Sequence, residues 1–163
     1  MFIYSVRAST VKFMAFVLLT VVALVGVIAF SAEDSVLASG SGSIKYTGIE
    51  TNEDRVSFIK SFGISVEEQP LEELSFTVPE DFDVVINGYD QIQKMQGLSL
   101  ERYAGKKITR YTYTVKNYDS DGSVFANLFI YRGSIIACDL SGGEAEGFVL
   151  PLTRVDRAKL KKL

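Results

Sequence analysis

Ser57-Phe58-Ile59-Lys60 sets a serine and a lysine one helical turn apart, the S-x-x-K spacing in which an amine activates a hydroxyl for attack on an acyl carbon. The partners that chemistry needs are missing: no K-T-G follows, and Ser120-Asp121-Gly122 stands where S-D-N would be wanted. A hydrolase using Ser57 and Lys60 is therefore the weakest of the functional alternatives, behind a plain solvated helix face. Asn117, Asp119, Asp121 and Gly122 match the first half of a calcium-binding N-x-D-x-D-G loop, but the twelfth position is Leu128 instead of a bidentate glutamate. A hairpin turn needs Asp and Gly there in any case, so no metal and no cofactor is assigned. Glu67-Glu68, Glu72-Glu73 and Glu80-Asp81 are carboxylate pairs of the kind glycoside cleavage employs. Adjacent residues on a strand point to opposite faces, and Glu80-Asp81 suits a helix start, so these are read as solvated acids.

Tyr111 and Tyr113 are the candidate ligand-binding residues. By the two-residue period of a strand they share one face with Thr109 and Val115, while Arg110, Thr112 and Thr114 face the other way. A solvated tyrosine face would suit a sugar or peptide; otherwise the rings meet the helices or cross-strand partners such as Phe125, Phe129 and Tyr131. Cys138, the single cysteine, sits in the apolar run Ile135-Ile136-Ala137-Cys138 and reads as a buried small hydrophobe. One cysteine excludes an intrachain disulfide and cysteine-cluster metal sites. The absence of histidine excludes every imidazole-based triad, metal ligand and acid/base scheme. No catalytic residue is assigned, and the expectation is a protein that is not an enzyme.

The elements that must carry these residues follow from pattern. Phe13 to Phe30 is an uncharged run of 18 residues. As a helix it would be about 27 Å long, near the roughly 30 Å thickness of a bilayer's hydrocarbon core. Arg7 and Lys12 precede it, whereas Glu33 and Asp34 follow, so the bias of basic residues predicts residues 1–12 in the cytoplasm and the rest outside. The expected location is the cytoplasmic membrane, single-pass, with the lipid bilayer as a partner of the Phe13 to Phe30 span. The alternative is secretion after cleavage near Ala29-Phe30-Ser31 or Val36-Leu37-Ala38. Residues 31–50 are Ser/Gly-rich and read as a flexible linker, 51–152 as one domain, and 153–163 as a basic C-terminal tail.

Within the domain the fold class predicted is α+β, with order α-β-β-α-β-β-β and two helices packed on one face of an antiparallel sheet. The helices are predicted over 52–62, capped by Thr51 or Asn52 and ended by Gly63, and over 80–96, with Phe82, Val85, Ile86, Tyr89 and Ile92 at helical spacing. Strands are predicted over 64–67, 74–78, 107–118, 124–131 and 135–140, the last three as a meander turned at Asp119-Ser120-Asp121-Gly122 and Arg132-Gly133.

NEDRVSFIKSFG at 52–63, VPEDFDVV at 78–85, QIQKMQGLSLERYAGKKITRYTY at 91–113 and VFANLFIYRGSIIACD at 124–139 together resemble an uncharacterised domain-of-unknown-function family of Gram-positive Firmicutes. Its members often carry one N-terminal hydrophobic segment before a small extracytoplasmic domain. The likeness covers roughly residues 50–150 and implies a fold, with no catalytic or binding residue to carry over. Ile64 departs from it, standing where members often have an aromatic residue.

Charge is unevenly divided. Residues 33–101 carry 14 acids and 4 bases, whereas 102–163 carry 11 bases and 6 acids. The tail from Arg154 is expected to fray as a solvated helix or to touch anionic headgroups or wall polymers. The acidic balance of the presumed outside domain excludes nucleic acid as a partner. The functional expectation is a membrane-anchored, non-enzymatic interaction or ligand-binding module of the cell envelope, with an envelope protein or wall component as partner. The alternative is a small sensor or inhibitor acting on an envelope enzyme.

Overall fold

A computed structural model describes residues 44–143 and 147–161 of the chain. The apolar run Phe13–Phe30 lies outside the described residues, and among those described no helix is long and apolar enough to cross a membrane. The first helix, α1 (Asn52–Lys60), starts where Thr51 accepts from the Asp54 amide and the Asp54 carboxylate takes the Thr51 amide in return. That reciprocal arrangement satisfies donors the helix itself cannot. Gly63 closes the turn after the helix with φ +83°, a conformation that costs a side-chain-bearing residue dearly.

The expected strand at 64–67 reduces to a single bridge, Val66 to Val115. Pro70 and the glutamates before it interrupt the ladder, which resumes as β1 (Glu72–Thr77) on the same flank of β2 (Lys107–Thr114). The second helix, α2 (Val84–Lys94), is shorter than its apolar pattern predicts. Asp83 takes the amides of Val85 and Ile86 and so sets the start after Phe82. Then come β3 (Val124–Tyr131), β4 (Ser134–Gly142) and a two-residue β5 (Val149–Leu150) that the pattern does not announce. All five strands form one antiparallel sheet in the order β1-β2-β3-β4-β5. Between β3 and β4, Arg132 and Gly133 both have positive φ (47° and 70°), the tight hairpin geometry whose twist matches the flanking strands.

The helices serve opposite faces of the sheet, not one. Val56, Phe58 and Ile59 of α1 pack with Tyr113, Ala126, Leu128, Cys138 and Leu140. Tyr89, on α2, packs instead with Phe129, Ile136 and Ala137 on the reverse side. Strands buried on both faces read as near-continuous apolar runs, which is how β3 and β4 read. Ile59, Ile64, Leu128 and Leu140 have no exposed surface. Each such side chain contributes roughly 1.5 to 3 kcal/mol through burial.

Residues 46–49, at the end of the segment read as linker, and the tail as far as Lys161 pack onto this core. The Tyr46 carbonyl accepts from the Ile135 amide, the Ile49 amide donates to Gly133, and Ile49 is buried. Two apolar side chains in a Ser/Gly-rich context are enough to dock residues 46–49 along β4. At the other end Arg154 to Lys161 runs as short 3-10 turns, not as a frayed helix, and Leu160 bridges to Tyr118. Asn117, buried at 4% exposure, holds the seam: its Oδ1 accepts from the Ser65 amide and its Nδ2 donates to the carbonyls of Gly63 and Lys161. Asn117→Ala strands those backbone groups. The expected result is a loss of about 1 to 3 kcal/mol in urea unfolding, with carboxypeptidase trimming past Lys161 much faster than in the parent. Unchanged trimming would mean the seam is held by Leu160, the backbone bonds of Asp119 and Lys161 and the Asp119–Lys161 ion pair without the Asn117 side chain.

Candidate functional site

The predicted alternation along β2 is what the structure shows, and it divides the polar residues of the sheet into two groups. On the α1 face, Tyr113 is fully buried and Tyr111 half-buried. The Arg55 guanidinium lies 3.8 Å from the centre of the Tyr111 ring and its Nε donates to the Tyr113 hydroxyl at 2.9 Å. That hydroxyl donates onward to Asn52 Oδ1 at 2.9 Å, and Asn52 Nδ2 reaches the Glu68 carbonyl. Burial raises the pKa of both phenols above the ordinary range. Phe129 and Tyr131 lie on the opposite face, so the cross-strand neighbours of the two tyrosines are Leu128 and Ala126. Tyr111 donates weakly to Glu73 at 3.4 Å, and Ser75 meets Thr109 at 2.9 Å through their hydroxyls. Beyond the cover of α1, therefore, the β1–β2 margin presents a polar strip to solvent: Glu73, Ser75 and Thr77 are exposed.

On the α2 face a polar row crosses the sheet. Thr112 donates to Asn127 Oδ1 at 2.9 Å, Asn127 Nδ2 donates to Asp139 Oδ1 at 2.8 Å, and the Tyr89 hydroxyl donates to Asp139 Oδ2 at 2.5 Å. Asp139 is 2% exposed. Burial pushes its pKa up to about 6 against the counter-effects of the Tyr89 and Asn127 hydrogen bonds and the Arg110 charge. The Tyr89 phenol is raised well above its ordinary value, first by burial and then by the neighbouring carboxylate. Arg110 forms an ion pair with Glu72 across the outer strands. Chemically this row is a buried carboxyl group with a raised pKa, held by donors on α2 and β3, with Thr112 of β2 bracing Asn127.

The open edge of β4 is closed by side chains. Gln93 Oε1 accepts from the Cys138 amide at 2.9 Å, and Gln96 Nε2 donates to the Cys138 carbonyl at 2.6 Å, so the end of α2 and the turn after it replace a strand where β5 does not reach. The Tyr46 hydroxyl, its pKa pushed up to about 12 mainly by burial, donates to the Gln96 carbonyl. Past the end of α2, a shallow depression of about 450 Å³ is lined by Lys94, Gly97, Leu98, Ser99, Glu101 and Arg102. Lys94 is engaged there by Asp90 and Glu101.

The other sequence candidates are scattered. Ser57 and Lys60 are both exposed on the outer side of α1. Asn117 is turned inward and Asp119 pairs with Lys161, so they do not converge on one point; among the described residues no group of three acids or cysteines could hold a metal ion. Sequence pattern marks Tyr89 only as an apolar helix position and gives Asp139, Asn127, Gln93 and Arg55 no functional role. The signal available was an acid inside the run Ile135 to Leu140, and polar Asp90 and Gln93 on the helical stripe of Ile86.

These features define a small α+β domain: a five-stranded antiparallel sheet with a helix on each face, one edge sealed by side chains. The chain belongs to a family described as Domain of unknown function (DUF4830), whose model matches residues 58–140. The match runs from the second half of α1 to Leu140 in β4. No curated protein and no solved structure matches the chain.

Proposed function

We propose that this chain is a single-pass, membrane-anchored protein of a Gram-positive Firmicute whose extracytoplasmic domain works by binding another envelope protein, not by catalysis. The anchor is the Phe13 to Phe30 run, oriented by Arg7 and Lys12, and the Ser/Gly-rich residues after it give the domain reach. The observation that carries a binding role is the asymmetry of the sheet. Its β4 side is covered by residues 46–49, by Gln93 and Gln96, and by β5, whereas β1 ends the sheet with exposed side chains. An edge strand presents backbone donors and acceptors that another chain can use.

Crosslinking of the full-length chain in its membrane, followed by mass spectrometry of the adducts and of the chain's own N-terminus, tests this. A recurrent protein adduct on a chain that retains Met1 to Ser31 is expected. A start near Ala32 or Ser39 would replace the anchored protein by a secreted one, and an absence of protein adducts would remove the binding role.

A further inference from the structure

We infer that the outer edge of β1, which no described strand pairs, is a docking site for an extended, basic segment of the partner, which adds to the sheet as a sixth strand. This rests on the binding role proposed above and assigns it a place and a chemistry.

The geometry comes from the ladder. β1 and β2 pair in the register Glu72 with Thr112 through Thr77 with Lys107, and the next pair in line is joined by the Val78 amide donating to the Lys106 carbonyl. Hydrogen-bonded and non-hydrogen-bonded pairs alternate in an antiparallel ladder, so Glu72, Leu74, Phe76 and Val78 bond inward to β2. Glu73, Ser75 and Thr77 thus turn their amides and carbonyls outward, and all three are exposed. Edge strands are usually blunted by a lysine, a proline or a covering segment. β4 has its cover; β1 lacks a lysine and a proline from Glu72 to Thr77.

Charge selects the occupant. From Ser61 to Gln93 the chain carries eight acids and no base; Glu67, Glu72 and Asp90 are paired with Lys116, Arg110 and Lys94. Glu68 lies at one end of the strand, Glu73 in it, and Glu80 and Asp81 at the other end, all exposed. A second copy of the chain would set these carboxylates against their own kind, which disfavours pairing of β1 with β1. An added strand with basic side chains every second residue would place them over the face that holds Glu73, with its alternate side chains over Leu74 on the other face. Charge of this kind speeds encounter and fixes register, while main-chain hydrogen bonds hold the complex.

The test uses the full-length chain in nanodiscs of zwitterionic lipid. The probe is a synthetic peptide alternating lysine with valine, with a glutamate-valine peptide as control, and amide exchange is read residue by residue. The lysine peptide is expected to slow exchange at Glu73, Ser75 and Thr77 by about tenfold or more, in a salt-sensitive way. Ser75→Pro removes one outward N–H while leaving the β2 ladder intact, and is expected to abolish the protection with the cooperative melt retained. Glu73→Lys is the second variant, expected to weaken the lysine peptide and favour the glutamate one. Unchanged binding to Ser75→Pro, equal protection by both peptides, or no protection at all would overturn the inference. Protection that grows with protein concentration in the absence of peptide would also overturn it, in favour of self-pairing. If crosslinks from the native membrane then map elsewhere on the domain, the binding role stands and only the edge is lost.

Discussion

Replacing Gln93 by leucine is expected to lower the unfolding free energy by about 2 to 3 kcal/mol and to open the β4 edge before the rest of the sheet. Gln93 is fully buried, and its Oε1 is the acceptor for both the Cys138 amide and the Gln96 side chain. Leucine fills the volume but leaves a buried backbone N–H without a partner and releases Gln96 from its orientation toward the Cys138 carbonyl. The loss is tempered because Gln93 Nε2 has no hydrogen-bond partner among the described residues, and leucine removes that group too. Cys138 reports the outcome directly. It is the only cysteine, and burial holds its thiol pKa far above the ordinary value, so it resists labelling while the edge is shut. In the variant, the Cys138 amide should exchange faster and a thiol reagent should label it faster under native conditions. A variant that loses stability with the Cys138 amide and thiol unchanged would show that Gln93 acts through packing alone.

That clasp also shows which part of the fold a sequence pattern carries. The capped start of α1, the extent of β3 and the alternation of β2 are local, set by Thr51, by an apolar run and by period two, so they are legible in the residues. β5 exists only because β4 extends to Gly142 and offers Leu140 and Ser141 as partners. Two residues have no periodicity to detect. The distribution of helices over both faces was hidden for a different reason: the stripe of α2 that meets the sheet contains Asp90 and Gln93, which hydropathy assigns to solvent. Asp90 earns its burial by accepting the Leu100 amide at 2.6 Å and pairing with Lys94 at 2.8 Å. Tyr111 and Tyr113 were legible as a pair sharing one face, yet not as a platform already occupied by Arg55, because Arg55 is distant in sequence and basic. Interactions between elements, where polar atoms satisfy one another across the core, are where pattern reading stops.

Asp139 supplies the largest pH effect expected of the described residues between about pH 4 and about pH 8. An ordinary aspartate titrates near 3.8, whereas burial raises Asp139 to about 6, so the folded chain binds this proton more tightly than the unfolded chain does. Stability is therefore highest, with respect to this group, below the unfolded value. It falls as pH rises from about 4 through 6 and is level above that, a total change of about 3 kcal/mol. Asp54 and Asp119 run the other way, their values lowered by hydrogen bonds to the Thr51 amide and to Lys161 respectively. Their stabilisation is lost only as pH drops through their folded values, below the window in which Asp139 acts. Urea unfolding at about pH 4.5 and about pH 7.5 should thus show the parent less stable at the higher pH by about 2 kcal/mol from Asp139. Asp139→Asn keeps the shape of the row: its carbonyl can accept from Asn127, and its amide can donate to the Tyr89 oxygen, which no longer needs to donate. In that variant the slope should vanish, and above pH 6 it should match or exceed the parent in stability. Tyr89→Phe should move the inflection upward, since it removes a bond that favours the charged carboxylate. Equal pH slopes in the parent and Asp139→Asn would mean that the row is hydrated enough to keep Asp139 at its ordinary value.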